Sequence, residues 1–187
     1  LIYVFVLLIS NISTASICKS VKTGNWSNSS TWDFGILPSQ TDTVIISMND
    51  SVFINTSSGK SEYLILNGTL YFKSSSNSLE ANSCLVQDGT ITGSQLGLFK
   101  TKTLLISSKL VVNKVNLTVE DSLINKGLLE FNSTSGNKYV ATLLNHGEIL
   151  NPAGEKLYIK NDLINLGVID FSLGDFHFNN SSRTSEI

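Results

Sequence analysis

Three stretches near the C-terminal end of the chain can be laid one on another without gaps. They read Ser122-Leu123-Ile124-Asn125-Lys126-Gly127-Leu128-Leu129-Glu130-Phe131, Thr142-Leu143-Leu144-Asn145-His146-Gly147-Glu148-Ile149-Leu150-Asn151 and Asp162-Leu163-Ile164-Asn165-Leu166-Gly167-Val168-Ile169-Asp170-Phe171. Gly127, Gly147 and Gly167 are evenly spaced, each with an Asn two places before it. A fixed period of about 20 residues, carried by short β-prone runs with no helical pattern between them, specifies stacked coils. The expected fold is all-β, a right-handed parallel β-helix of about six coils of about 20 residues each.

Within each copy the apolar positions alternate after the glycine. Leu129 and Phe131, Ile149, then Ile169 and Phe171 share one parity, and Glu130 and Asp170 take the other. Period-two alternation sends the first set into the bore and the charges outward. With each coil about 4.8 Å above the last, Leu129, Ile149 and Ile169 form one inward column. Asn125, Asn145 and Asn165 form another, an amide ladder in which each side chain donates to one neighbour and accepts from the other. The glycines are read as corner residues that allow the positive φ of a sharp bend.

The period extends upstream in looser form. Gly68 and Gly89, in "YLILNGTLYF" and "CLVQDGTITG", stand close to one period apart, and the interval from Gly89 to Gly127 has room for two coils with a corner near Ser107-Ser108-Lys109. The corner glycines are therefore Gly68, Gly89, Gly127, Gly147 and Gly167. Coils counted from residue 44 make a rod of about 30 Å. "NNSSRTSEI" at the end carries no terminal cap, so the domain, 18–187, is expected to be one solenoid cut short at its C-terminal side.

At the other end, Leu1 to Ile9 is an unbroken apolar run followed by Ser13-Thr14-Ala15-Ser16. This run is too short to span a bilayer, but it matches the apolar region of a secretory signal cut near Ala15 or Ser16. Residues 1–17 are assigned to that signal, its charged start missing, and the mature chain is expected outside the cell or on its surface. Cys18 and Cys84 can pair in an oxidising compartment or stay as buried thiols. Trp26 and Trp32 lie in the turn-rich "GNWSNSSTWDFGILP" and carry two readings, a cap over the first coil or an aromatic platform for sugar rings.

Net charge of −2 with 15% charged residues leaves no basic patch for a nucleic acid. Glu130 and Asp170 fall two coils, about 10 Å, apart, with Glu148 on a neighbouring column, and the single Arg183 sits in the tail. That spacing is too long for a retaining pair and marginal for an inverting one, so a solvated face is expected and no catalytic residue is assigned. His146 and His177 lack carboxylates at ligand spacing, so neither metal nor cofactor is expected. Sequons occur at Asn25, Asn28, Asn49, Asn55, Asn67, Asn116, Asn132, Asn179 and Asn180. They would carry glycans in a eukaryotic secretory pathway and be inert in a bacterial one, the reading preferred here.

Trp26, Ser27, Thr31, Trp32, Gly35, Pro38, Asp42, Val44, Ile46 and the stretch Leu64 to Leu70 together resemble the opening of G8-type domains. They are also similar to solenoid segments of Bacteroidetes-type secreted surface proteins. The resemblance covers about residues 25–95, with Phe34-Gly35 where the family pattern has two glycines. It implies an extracellular β-rich module within a larger protein, in a family linked with polysaccharide or cell-surface ligands. The expected function is a secreted, non-catalytic scaffold or adhesion module with extracellular polysaccharide as a partner. The alternative is the N-terminal part of a polysaccharide lyase or hydrolase whose active face lies elsewhere in that protein.

Overall fold

The structure, a computed structural model, describes residues 15–178. Its strands are, in order, β1 (Ile17–Lys19), β2 (Gly24–Asn25), β3 (Thr43–Ile46), β4 (Ser51–Ile54), β5 (Gly59–Leu66), β6 (Thr69–Phe72), β7 (Ser78–Gly93) and β8 (Leu98–Asn113). There follow β9 (Asn116–Asn125), β10 (Leu128–Phe131), β11 (Lys138–Asn145), β12 (Glu148–Leu150), β13 (Lys156–Ile159), β14 (Leu163–Asn165), β15 (Val168–Asp170) and β16 (Asp175–Phe178). Pairing between neighbouring turns is parallel, as in β7 with β8 and β8 with β9. The result is a β-solenoid of about seven turns, one more than the glycine spacing suggests.

From β5 onward each complete turn has three straight runs. In β8 they are 98–101, 103–106 and 109–113, and we call them the first, second and third walls. Every wall buries alternate residues because a strand turns successive side chains to opposite faces. On the second wall one inward column reads Cys18, Val44, Leu64, Cys84, Leu104, Leu123, Leu143 and Leu163 in register. On the third wall Leu110, Leu129, Ile149 and Ile169 align, and Leu110, Leu129 and Ile149 are wholly buried. Each such side chain contributes about 1.5–3 kcal/mol by leaving water, and the bore is the core.

The asparagine column continues an apolar one. Ile46, Leu66, Val86 and Ile106 occupy the inward position that Asn125, Asn145 and Asn165 take in later turns. Asn125 Nδ2 donates to Asn145 Oδ1 and Asn145 Nδ2 to Asn165 Oδ1, both at 2.8 Å. The same amides reach the backbone carbonyls of Glu148 and Val168.

Several expectations change. Gly68, Gly89, Gly127, Gly147 and Gly167 are absent from the positive-φ residues, where the glycines are Gly35, Gly136 and Gly154. Close approach, not backbone handedness, explains them: a Cβ on Gly127 would strike the Ser108 carbonyl, and one on Gly147 the Gly127 carbonyl. Cys18 and Cys84 share a column with Val44 and Leu64 between them, three rungs or about 14 Å apart, too far for a disulfide. Both are buried and free. The fold also begins inside the segment assigned to the signal, since Ile17 pairs with Thr43 and the Ser16 N–H donates to Asp42 Oδ1 at 2.9 Å. Residues 1–14, holding the apolar run, and Asn179, Asn180 and Arg183 lie outside the described residues.

Candidate ligand groove

The outward column of the first wall is where the molecule changes character along its length. In register it reads Lys60, Glu80, Lys100, Thr118, Tyr139, Tyr158 and His177. Alternation makes these positions solvent-facing, so packing places no demand on what fills them. The C-terminal three are nevertheless rings in a stack: Tyr139 on Tyr158 and Tyr158 on His177, with centroids 4.9 Å apart in each case. Tyr139 is 43% exposed.

Beside this column runs the corner between the first and second walls, carrying Glu62, Asn82 and Lys102 in equivalent positions. In β9 a bulge opposite Lys102 gives that corner two residues, Glu120 and Asp121. β11 gives it one, Ala141. The corner and column side chains bound three concavities. One of about 550 Å³ is lined by Trp26, Leu37, Gln40, Thr56 and Lys60. The next, about 300 Å³, shares Gln40 and Lys60 and adds Glu62, Glu80, Asn82 and Lys102. The last, about 290 Å³, lies between Thr118, Glu120, Tyr139, Ala141, Tyr158 and Lys160. The third shares no lining residue with the other two, and taken in order the three follow the stacking axis for about 30 Å.

Charges in the groove are tied to one another. Lys100 Nζ lies 2.8 Å from Glu120 Oε1 and 3.7 Å from Glu80 Oε1, and Asn82 Nδ2 donates to Glu62 Oε1 at 2.8 Å. The hydrogen bond to Glu120, with the charge of Glu80 behind it, holds the Lys100 ammonium above its ordinary pKa. Lys100 is a fixed cation here, not a base.

The residues singled out by sequence are dispersed. Trp26 and Trp32 are 4% and 2% exposed and meet edge to face at 5.2 Å, with Trp32 Nε1 donating to the Trp26 carbonyl at 2.9 Å. Trp32 forms an antiparallel bridge with Ser20, and the Val21 N–H donates to the Thr31 carbonyl at 3.0 Å, on the edge of the first coil opposite β3. The ring faces of both tryptophans are committed to the core, so they offer no open platform to a sugar. Glu130 and Asp170 align with Leu150 between them on the third wall, away from the groove, and Lys109 sits 3.6 Å from Glu130. His146 is exposed at a corner, and His177 ends the ring stack. Among the described residues no cluster of His, Cys, Asp and Glu has the makings of a metal site. Sequence reading passed over Tyr139 and Tyr158, although Tyr139, Tyr158 and His177 recur at equal intervals, once per coil.

With the geometry in place, comparison with known families assigns part of the chain. Residues 31–103 match the G8 domain. The G8 segment opens at Thr31, after Trp26, and closes at Thr103 on the second wall, so it supplies the N-terminal half of the groove. No curated protein and no solved structure matches the chain.

Within the G8 segment two features acquire reasons. Asp42, 4% exposed, accepts from Ser16 N–H and Oγ at 2.9 and 2.7 Å and from Ser39 N–H at 2.7 Å, tying the first turn to the second. Phe34 and Gly35 both have left-handed backbone, φ 59° and 63°, the conformation glycine adopts without cost. Phe34 takes this bend with a ring that is 87% exposed.

Proposed function

We propose that the chain is a secreted or surface-displayed, non-catalytic module that holds an extended polysaccharide along its lateral groove. The observation that carries this reading is the direction of the groove. It follows the stacking axis for about 30 Å, so a linear polymer lying in it meets a new rung of side chains about every 4.8 Å. Those rungs present ammonium, carboxylate and amide groups at one end and aromatic rings at the other, the mixture that hydroxyls and apolar ring faces of sugars require.

Two further observations support it. The apolar run Leu1 to Ile9 with the small residues after it is what export requires. Lys100 is held as an ammonium between Glu80 and Glu120, so it has no lone pair for proton abstraction. The test is electrophoresis of the purified protein through gels cast with soluble polysaccharides, followed by an assay for new reducing ends after prolonged incubation. Retardation without new chain ends is expected. No retardation in any gel removes the binding role, and accumulating chain ends remove the non-catalytic one.

A further inference from the structure

Residue 141 stands out among the corner positions between the first and second walls that align with Glu62, Asn82 and Lys102, because its side chain is a single methyl. Equivalent positions hold Glu62, Asn82 and Lys102, and β9 places Glu120 and Asp121 opposite it. The missing bulk leaves the concavity of about 290 Å³ over Ala141. Tyr139 and Tyr158 form one side of it, and Glu120 and Lys160 close it from the turns before and after.

We infer that this gap is a subsite for one or two neutral pyranose rings of the polysaccharide. The inference rests on the groove reading above. Three observations favour this occupant. The two tyrosine rings stack with planes 29° apart and centroids at 4.9 Å, and Tyr139 is 43% exposed, so part of an aromatic stack is open to solvent beside Ala141. Aromatic rings are not needed there by the fold, because Lys60, Glu80, Lys100 and Thr118 fill the same outward column in earlier turns. The polar groups at the two ends are one carboxylate and one ammonium, which provide an acceptor and a donor for hydroxyls. Glu80, Lys100 and Glu120, linked together, carry one net negative charge and Lys160 carries one positive charge, so the gap has no excess of either sign to select a charged sugar.

The experiment uses titration calorimetry with short neutral β-linked hexose oligomers and with an oligogalacturonate of similar length. Ala141→Lys fills the gap with a side chain that the same corner already accommodates as Lys102, and Tyr158→Thr removes one face using the residue type found at position 118. Circular dichroism and melting report whether each variant keeps the fold. We expect the neutral oligomers to bind the unaltered protein and both variants to bind at least about tenfold more weakly. Neutral oligomers that bind all three proteins equally overturn the subsite and leave the groove reading standing. Binding of the oligogalacturonate alone overturns the neutral class. Binding of none of these oligomers overturns the subsite, and retardation in the polysaccharide gels then decides whether the groove reading falls with it.

Discussion

Lys138 Nζ lies 2.8 Å from Glu155 Oε2 inside the solenoid, with the two side chains 0% and 3% exposed. Lys138 occupies an inward column of the first wall that Leu79, Phe99, Leu117, Leu157 and Phe176 otherwise fill. Its other donor contacts go to the carbonyls of Ser135 and Gly136 at 3.3 and 3.2 Å. Burial pulls the Lys138 ammonium below its ordinary pKa, and Glu155 opposes that pull. The charge is kept inside the wall because every ammonium proton has an acceptor.

Removing one partner should therefore cost much more than removing both. We expect Glu155→Ala to destabilise by about 3–5 kcal/mol, and the double variant Lys138→Met with Glu155→Leu to lie near the parent or above it. Urea unfolding of the three proteins is the measurement. Parent-like stability in the single variant contradicts a buried pair.

The amide ladder should show a gradient along its length. Asn145 is wholly buried and bonded on both sides, while Asn165 is the exposed last rung. Asn145→Ala takes one of the two acceptors from the Asn125 amide and the side-chain donor from the Val168 carbonyl, an expected loss of about 2–3 kcal/mol, against less than about 1 kcal/mol for Asn165→Ala. Equal losses in thermal melts would mean that the ladder adds nothing beyond its single amides.

Two kinds of glycine should respond differently. Gly147→Ala drives a methyl into the Gly127 carbonyl of the turn before, and a backbone held by parallel strands on both sides yields little, so about 3 kcal/mol or more is expected. Gly35→Ala has open space around it but keeps φ at 63°, which costs about 1 kcal/mol. Chemical denaturation that ranks Gly35→Ala as the worse of the two would reverse this assignment of causes.

Acid should loosen the junction of the first two turns. Burial works to raise the Asp42 pKa, but hydrogen bonds from Ser16 and Ser39 outweigh it and hold the carboxyl below its ordinary 3.8. A depressed carboxyl stabilises the fold above its unfolded pKa, and that contribution fades as pH falls through the lower folded value. Stability measured from about pH 5 to about pH 2 should drop less steeply in Asp42→Asn, which is weaker at neutral pH. Parallel curves for the two proteins would remove Asp42 from the acid response.

Much of this architecture was legible before any coordinates. Periodic recurrence of Asn-x-Gly, and strict alternation at Leu129, Phe131, Ile149 and Ile169, are consequences of stacking in register, and stacking leaves its period in the primary structure. The corner glycines were legible as positions, with the wrong cause attached. Whether a glycine is required by φ or by a neighbour's carbonyl depends on how closely the preceding turn approaches, which its own segment does not encode. Trp26 and Trp32 illustrate the same limit, since an indole in a turn-rich stretch reads alike whether it faces solvent or core.

The chain alone determined the repeat, the strands and the inward face, because those follow from local alternation and a period of one coil. Tertiary structure decided what lies side by side on the outside. Tyr139, Tyr158 and His177 are each a full coil apart in sequence and 4.9 Å apart in space, and Glu80, Lys100 and Glu120 meet from three turns. Outward positions are free of packing constraint, so no hydrophobic pattern announces them, and only the exact register of the coils brings such residues into one groove.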